Sequence, residues 1–191
     1  MAWAELIELT IGFILAIAAL SKLLRLASFR AAVRAYRIVP TGVAGVLPPF
    51  LVTSEAVVAT LLLLRLAPLP ALASASALFL GFAAAVAVQE SGASDEQPAR
   101  SDCGCLGGLV RLRLGRVSVF LNLVLALAAA AAAAAVAASG GNSLSVGMEG
   151  PLGGAVLWLC ALLLALMYWL ATYAVSVAIL MDETLEGGGI S

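Results

Sequence analysis

The 191-residue chain contains no histidine, and only 11% of its residues are charged. Without an imidazole there is no His-ligated metal or haem and no Ser–His or Cys–His catalytic pair. Three cysteines, Cys103, Cys105 and Cys160, are too few for a disulfide framework or a four-thiolate cluster within one chain, and no metal site is expected. Ten bases against eleven acids give a formal net charge of -1, which argues against a nucleic-acid partner held by a basic surface. Aromatic residues are scarce as well, at 6%; Trp158, Tyr168 and Trp169 read as packing or interfacial residues, not as a stacking platform.

What fills the chain instead is apolar. The hydrophobic share is 63% and the mean hydropathy +1.12, whereas a soluble domain is nearer half apolar and a quarter charged. So little polar surface cannot coat a soluble globule. The partner this composition demands is a lipid bilayer. A hydrocarbon core of about 30 Å takes roughly 20 apolar residues as helix, and five stretches meet that need, near 5–24, 44–65, 69–89, 117–138 and 152–181. The first carries Glu5 and Glu8 and no base ahead of its apolar run, and no A-x-A site follows, so it is expected to remain as a helix and not to be a cleaved signal peptide. The fourth contains the run Ala128–Ala135, which lets another helix approach closely.

Orientation follows from Lys and Arg. Lys22, Arg25, Arg30, Arg34 and Arg37 lie between the first two stretches; Arg100, Arg111, Arg113 and Arg116 lie between the third and fourth. Only Arg65 falls on the other side. The rule places both basic segments in the cytoplasm, the N-terminus outside, and the protein in a bacterial-type inner membrane. Within the first basic segment, Arg30, Arg34 and Arg37 recur at helical spacing beside Phe29, Val33 and Tyr36. Ser28 can cap the start and Pro40 marks an end. The pattern predicts a short amphipathic helix lying on the inner leaflet and anchored by anionic lipid.

The second basic segment carries the sharpest chemical signal, Cys103-Gly104-Cys105. Cysteines one residue apart put their Cα atoms roughly 5.5–7 Å apart, overlapping the disulfide range, and Gly104 can adopt the dihedrals of a tight ring. A strained disulfide is easily reduced, which points to an exchanging dithiol over a structural staple. Arg100, Arg111 and Arg113 would favour the thiolate if they fold nearby, and Asp102 would oppose it. Two plainer readings compete: loop cysteines without function, and half of an intermolecular metal site.

Among the helices, Glu55 is an intramembrane acid and a functional candidate on that ground. It must face the bundle interior, be protonated or be paired. Lys22 is a candidate partner, although its position near the end of the first helix matches the mid-helix depth of Glu55 poorly; the alternative is that Lys22 snorkels to the interface. Asn122 is either interhelical glue or a ligand contact. Ser21, Thr53 and Ser54 read as helix-packing residues. Cys160, among Leu and Ala, reads as an inert buried thiol.

Taken together, Leu20-Ser21-Lys22, Phe29, the basic helix, Tyr36 and Pro40, then Leu47-Pro48-Pro49 with Glu55, resemble the DoxX/MauE-like membrane proteins. Arg100-Ser101-Asp102-Cys103-Gly104-Cys105-Leu106-Gly107 with Asn122 is similar to the MauE signature, its most specific part. The resemblance covers residues 1–138. It implies a four-helix redox-associated module linked to making disulfide-rich extracytoplasmic proteins beside a thioredoxin-like partner, with Cys103 and Cys105 as the exchanging pair. Two departures stand out. Leu106 occupies a site where the family often has Phe, and the fifth helix is an addition that puts the C-terminus on the opposite side from a four-helix relative.

The expected architecture is therefore an all-α integral membrane protein. Residues 1–138 form a four-helix transmembrane bundle with a redox loop at 90–116; residues 139–191 add a loop, a fifth transmembrane helix for packing or homo-oligomer contacts, and a short acidic tail. The expected function is thiol–disulfide exchange through Cys103 and Cys105 with a thioredoxin-like protein, or with a quinone docked between helices by analogy with other four-helix thiol oxidases. Glu55, Lys22 and Asn122 are the candidates for holding a cofactor. The alternatives are a non-enzymatic membrane scaffold and a small transporter built around Glu55. One tension remains: disulfide maturation takes place outside the cytoplasm, whereas the charge rule puts Cys103 and Cys105 on the cytoplasmic face. The pair collects electrons from a cytoplasmic donor, or sinks into the bundle, or the orientation is reversed.

Overall fold

A computed structural model describes residues 2–35, 45–91, 115–140 and 155–170. Every element among them is helical: α1 (Ala2–Leu24), α2 (Leu26–Ala35), α3 (Leu47–Leu63), α4 (Pro68–Ser91), α5 (Gly115–Ala138) and α6 (Ala155–Leu170). Three spans, Trp3–Leu24, Pro68–Val88 and Arg116–Ala138, are long and apolar enough to cross a bilayer, whereas α3 and α6 are shorter apolar helices. Large apolar side chains such as Phe50, Phe120, Leu127 and Met167 point outward, as they do where the solvent is lipid. The chain is a multi-pass membrane protein.

Local chemistry sets the helix ends. Pro48 and Pro49 stand in the first turn of α3, where a missing N–H costs nothing, and the helix starts at Leu47. The expected span 44–65 is trimmed at both ends for this reason and for the turn that follows. At the far end, the Arg65 N–H donates to the Leu62 carbonyl at 3.1 Å and the Leu66 N–H to the Leu61 carbonyl at 2.9 Å. That is a Schellman closure, with Arg65 in the left-handed position that glycine ordinarily takes. Arg65 (φ 55°) and Ala67 (φ 51°) are both left-handed without being glycine, a conformation costing roughly 1–2 kcal/mol per residue. Pro68 then opens α4 at once.

Such a short turn makes α3 and α4 antiparallel neighbours. The four helices α1, α3, α4 and α5 pack as a ring: α1 lies against α3, α3 against α4, α4 against α5, and α5 back against α1, while α1 and α4 meet little across the diagonal. The α4–α5 seam is the most extensive. Its closeness comes from small residues: Ala75, Ala129 and Ala132 are wholly buried, and the Ser76 hydroxyl donates across to the Ala126 carbonyl at 3.0 Å. Outside the ring, α6 turns Ala161 and Ala165 inward, and Trp158 meets Phe13 of α1 edge-on with ring centroids 5.6 Å apart.

The helix expected at 152–181 is described over Ala155–Leu170, and its remaining residues lie outside the described ones. Two expectations change, both at α2. Ser28 is inside α2, not at its cap, because the chain passes from α1 into α2 with a break only at Arg25, whose carbonyl accepts from the Phe29 N–H. The apolar face of α2 is also not laid on lipid. Phe29 and Val33 are buried against Val52 of α3, with Leu26, Leu47 and Leu51 around them, while Arg30 stays exposed. An amphipathic face docks wherever apolar surface is nearest, and here the end of α3 supplies it.

Candidate functional site

The α1–α3 seam carries the buried charges. Gly12 sits where a Cβ would come within 3.0 Å of the Leu63 side chain, so a glycine at this position lets the two helices close up. Lys22 lies ten residues beyond Gly12 on α1, about 15 Å along the axis, and Glu55 eight residues back from Leu63 on the antiparallel α3, about 12 Å. They therefore reach the same level, which the comparison of positions within each helix did not anticipate. The Lys22 Nζ donates to Glu55 Oε1 in an ion pair whose side chains are 1% and 0% exposed. Lys22 does not snorkel.

The ammonium has two further neighbours. Its Nζ stands 4.6 Å from the ring centre of Phe82 on α4 and 5.7 Å from that of Phe29 on α2. Ring faces attract a cation, most strongly when water is excluded. One lysine thus ties α1 to α2, α3 and α4. The second carboxylate oxygen, Glu55 Oε2, is buried without a hydrogen-bond partner.

Asn122 is buried on α5, but its amide Nδ2 donates to the Ser118 carbonyl of its own helix at 2.8 Å and touches the Ser118 hydroxyl at 3.4 Å. The interhelical bond expected of it is not among its described contacts, and it is not brought to the Lys22–Glu55 pair by any of them. The hydroxyls of Ser21, Thr53 and Ser54 likewise donate to carbonyls three or four residues earlier in their own helices. Lys22 and Glu55 hold each other through Oε1. Cys160 corrects another expectation. It is exposed, because the inward face of α6 is set by Ala161 and Ala165, and Cys160 lies about 100° round the helix from Ala161. Cys103 and Cys105, with Arg100, Asp102, Arg111 and Arg113, lie outside the described residues.

A second cluster, at the opposite end of the same seam, was not singled out from the sequence. Arg65 Nη2 lies 3.0 Å from Glu5 Oε1. Glu8, one turn further along α1, is 3% exposed and within electrostatic reach of both. The signal was present as two acids three residues apart inside an apolar helix, with one isolated arginine at the end of another.

The family model described as Methylamine utilisation protein MauE matches residues 1–138. A Methylamine utilization protein MauE from Paracoccus denitrificans is 34% identical over 165 residues, covering 86% of this chain and 86% of that protein. A match of that length runs past residue 138 into α6, so the helix expected to be an addition has a counterpart at least in part in this relative. No solved structure matches. The matched residues include both sides of the Lys22–Glu55 pair and the Cys103–Cys105 segment, and the chain belongs to the MauE family.

Proposed function

We propose that this protein is a thiol–disulfide exchange component of the cell membrane, acting through Cys103 and Cys105 in the maturation of partner proteins for methylamine utilisation. In this reading α3 and α6 also cross the bilayer, giving five spans with the N-terminus outside. The observation that carries the proposal is the Cys-Gly-Cys pair itself, set within the 138 residues that match the family. Support comes from the frame around it. The segment joins the end of α4 to the start of α5, two helices locked along an alanine seam, and Phe82 on α4 is held against Lys22.

The exchange balances without a metal or an organic cofactor. The thiolate of one cysteine attacks a disulfide of a thioredoxin-like partner, forming a mixed disulfide and releasing one partner thiolate, which takes up a proton. The second cysteine then attacks the mixed disulfide as thiolate, closing the Cys103–Cys105 disulfide and releasing the second partner thiolate. Two electrons pass from the chain to the partner, and the same steps run in reverse to oxidise it. The small-transporter alternative loses its main support, since Glu55 is neutralised by Lys22 and not left to face a pathway.

Trapping free thiols in cells tests the proposal. The pair is expected to partition between dithiol and disulfide, and the Cys103→Ser/Cys105→Ser double variant to abolish exchange with the partner. Thiols that stay reduced under every condition, together with full partner maturation in the double variant, would favour a scaffold. Labelling with an impermeant maleimide on intact cells reports the side: the charge rule expects none from outside.

A further inference from the structure

The Lys22–Glu55 pair leaves one atom unused. Oε1 takes the Lys22 ammonium, and among the described residues nothing donates to Oε2, although the Glu55 side chain is 0% exposed. A buried charged acceptor without a donor forgoes the hydrogen bond that water would supply. The hydroxyls next in sequence do not fill the gap, since Ser21 and Ser54 donate to the Ala18 and Leu51 carbonyls of their own helices. The pair is neutral, so a further cation or anion would unbalance it in an apolar bundle; a neutral donor would not. The ring of helices also has a way in. Lys22 and Glu55 belong to one closely packed pair, α1 and α3, whereas Phe82, whose ring centre is 4.6 Å from the ammonium, belongs to the other, α4 and α5. The α3–α4 seam between the two pairs is sparse. The turn between Leu63 and Pro68 ties that seam at one end, and Glu55 lies about 12 Å along α3 from it.

We propose that Glu55 Oε2 is the acceptor of a binding site for a neutral, lipid-soluble molecule that carries a hydroxyl on an aromatic ring, entering from the bilayer between α3 and α4. The hydroxyl donates to Oε2, and the flat ring lies against Phe82, as aromatic rings pair edge to face or offset. A redox-inert phenol and a hydroquinone share this group. Binding at the site does not depend on the thiol chemistry.

The probes are para-decylphenol and its methyl ether, para-decylanisole, which share ring and tail and differ in the donor. Binding of each to the full-length protein in lipid nanodiscs is measured against empty nanodiscs, which removes partition into the lipid. The phenol is expected to bind about tenfold or more tightly than the ether, the worth of a hydrogen bond to a charged acceptor. That preference is expected to vanish in Lys22→Met/Glu55→Leu, which removes both charges together, and to persist in the Cys103→Ser/Cys105→Ser variant. Phe82→Leu is expected to weaken phenol and ether alike. Decylhydroquinone identifies the source: tighter binding than the phenol assigns a hydroquinone, and equal binding a redox-inert phenol. Equal affinity for phenol and ether in the unaltered protein would overturn the proposal without recourse to any variant, leaving Oε2 to a water molecule. A phenol preference that survives the loss of Lys22 and Glu55 would overturn it as well.

Discussion

At one end of the α1–α3 seam a lysine faces a single carboxylate; at the other an arginine faces two. The first group is matched in charge, closed to solvent and walled by Phe29 and Phe82. The second sets two acids beside one arginine among the described residues, and that arginine side chain is 30% exposed. Both sit in the same bundle on the same two helices, so the surrounding lipid is not what distinguishes them. The difference lies in stoichiometry and wall material. An ion pair enclosed by rings serves to fix helices, whereas the second group lies beside a left-handed turn with part of its arginine exposed.

The comparison is broken most forcefully at the lysine. Lys22→Met leaves Glu55 buried without its partner, and a loss of about 3–5 kcal/mol is expected, read as a large fall in denaturation midpoint or in accumulation of the protein. The paired change Lys22→Met/Glu55→Leu removes both charges and should recover most of that loss; a double variant as unstable as the single one would show that the pair does more than neutralise itself. At the other end, Arg65→Gln is expected to cost less, about 1–3 kcal/mol, because its side chain is 30% exposed whereas that of Lys22 is closed off. Adding Glu8→Gln should restore part of it in the same assay. The smallest effect is expected at Cys160→Ser on the outer face of α6, within about 0.5 kcal/mol in thermal unfolding; a larger loss would place Cys160 in a contact beyond this chain.

Helix existence was legible because length and hydropathy alone decide it in a bilayer. Helix faces were less so. A helix apolar all round carries no periodic signal, which is why Cys160 read as buried when α6 turns Ala161 and Ala165 inward instead. For α2 the spacing of Phe29, Val33 and Arg30 marked the faces correctly, but an apolar face does not state whether lipid or α3 will cover it. The Lys22–Glu55 pairing depended on interhelical register, a packing property set by the contact at Gly12. Glu5 and Glu8 were visible as charges that spoke against a cleaved signal peptide, and Arg65 as the base on the other side; their convergence needed the left-handed turn at Arg65, which no residue preference predicts for an arginine.

The alanine seam between α4 and α5 has a mechanical consequence. Alanine has no rotamers, so ordering it costs no side-chain entropy and leaves nothing to repack under strain. A seam closed by Ala75, Ala129 and Ala132 and tied by Ser76 to the Ala126 carbonyl therefore behaves as one stiff hairpin. A force applied where the two helices meet the 92–114 connection is passed along as displacement of the whole pair. The first buried charge such a displacement meets is the ammonium of Lys22, resting on Phe82.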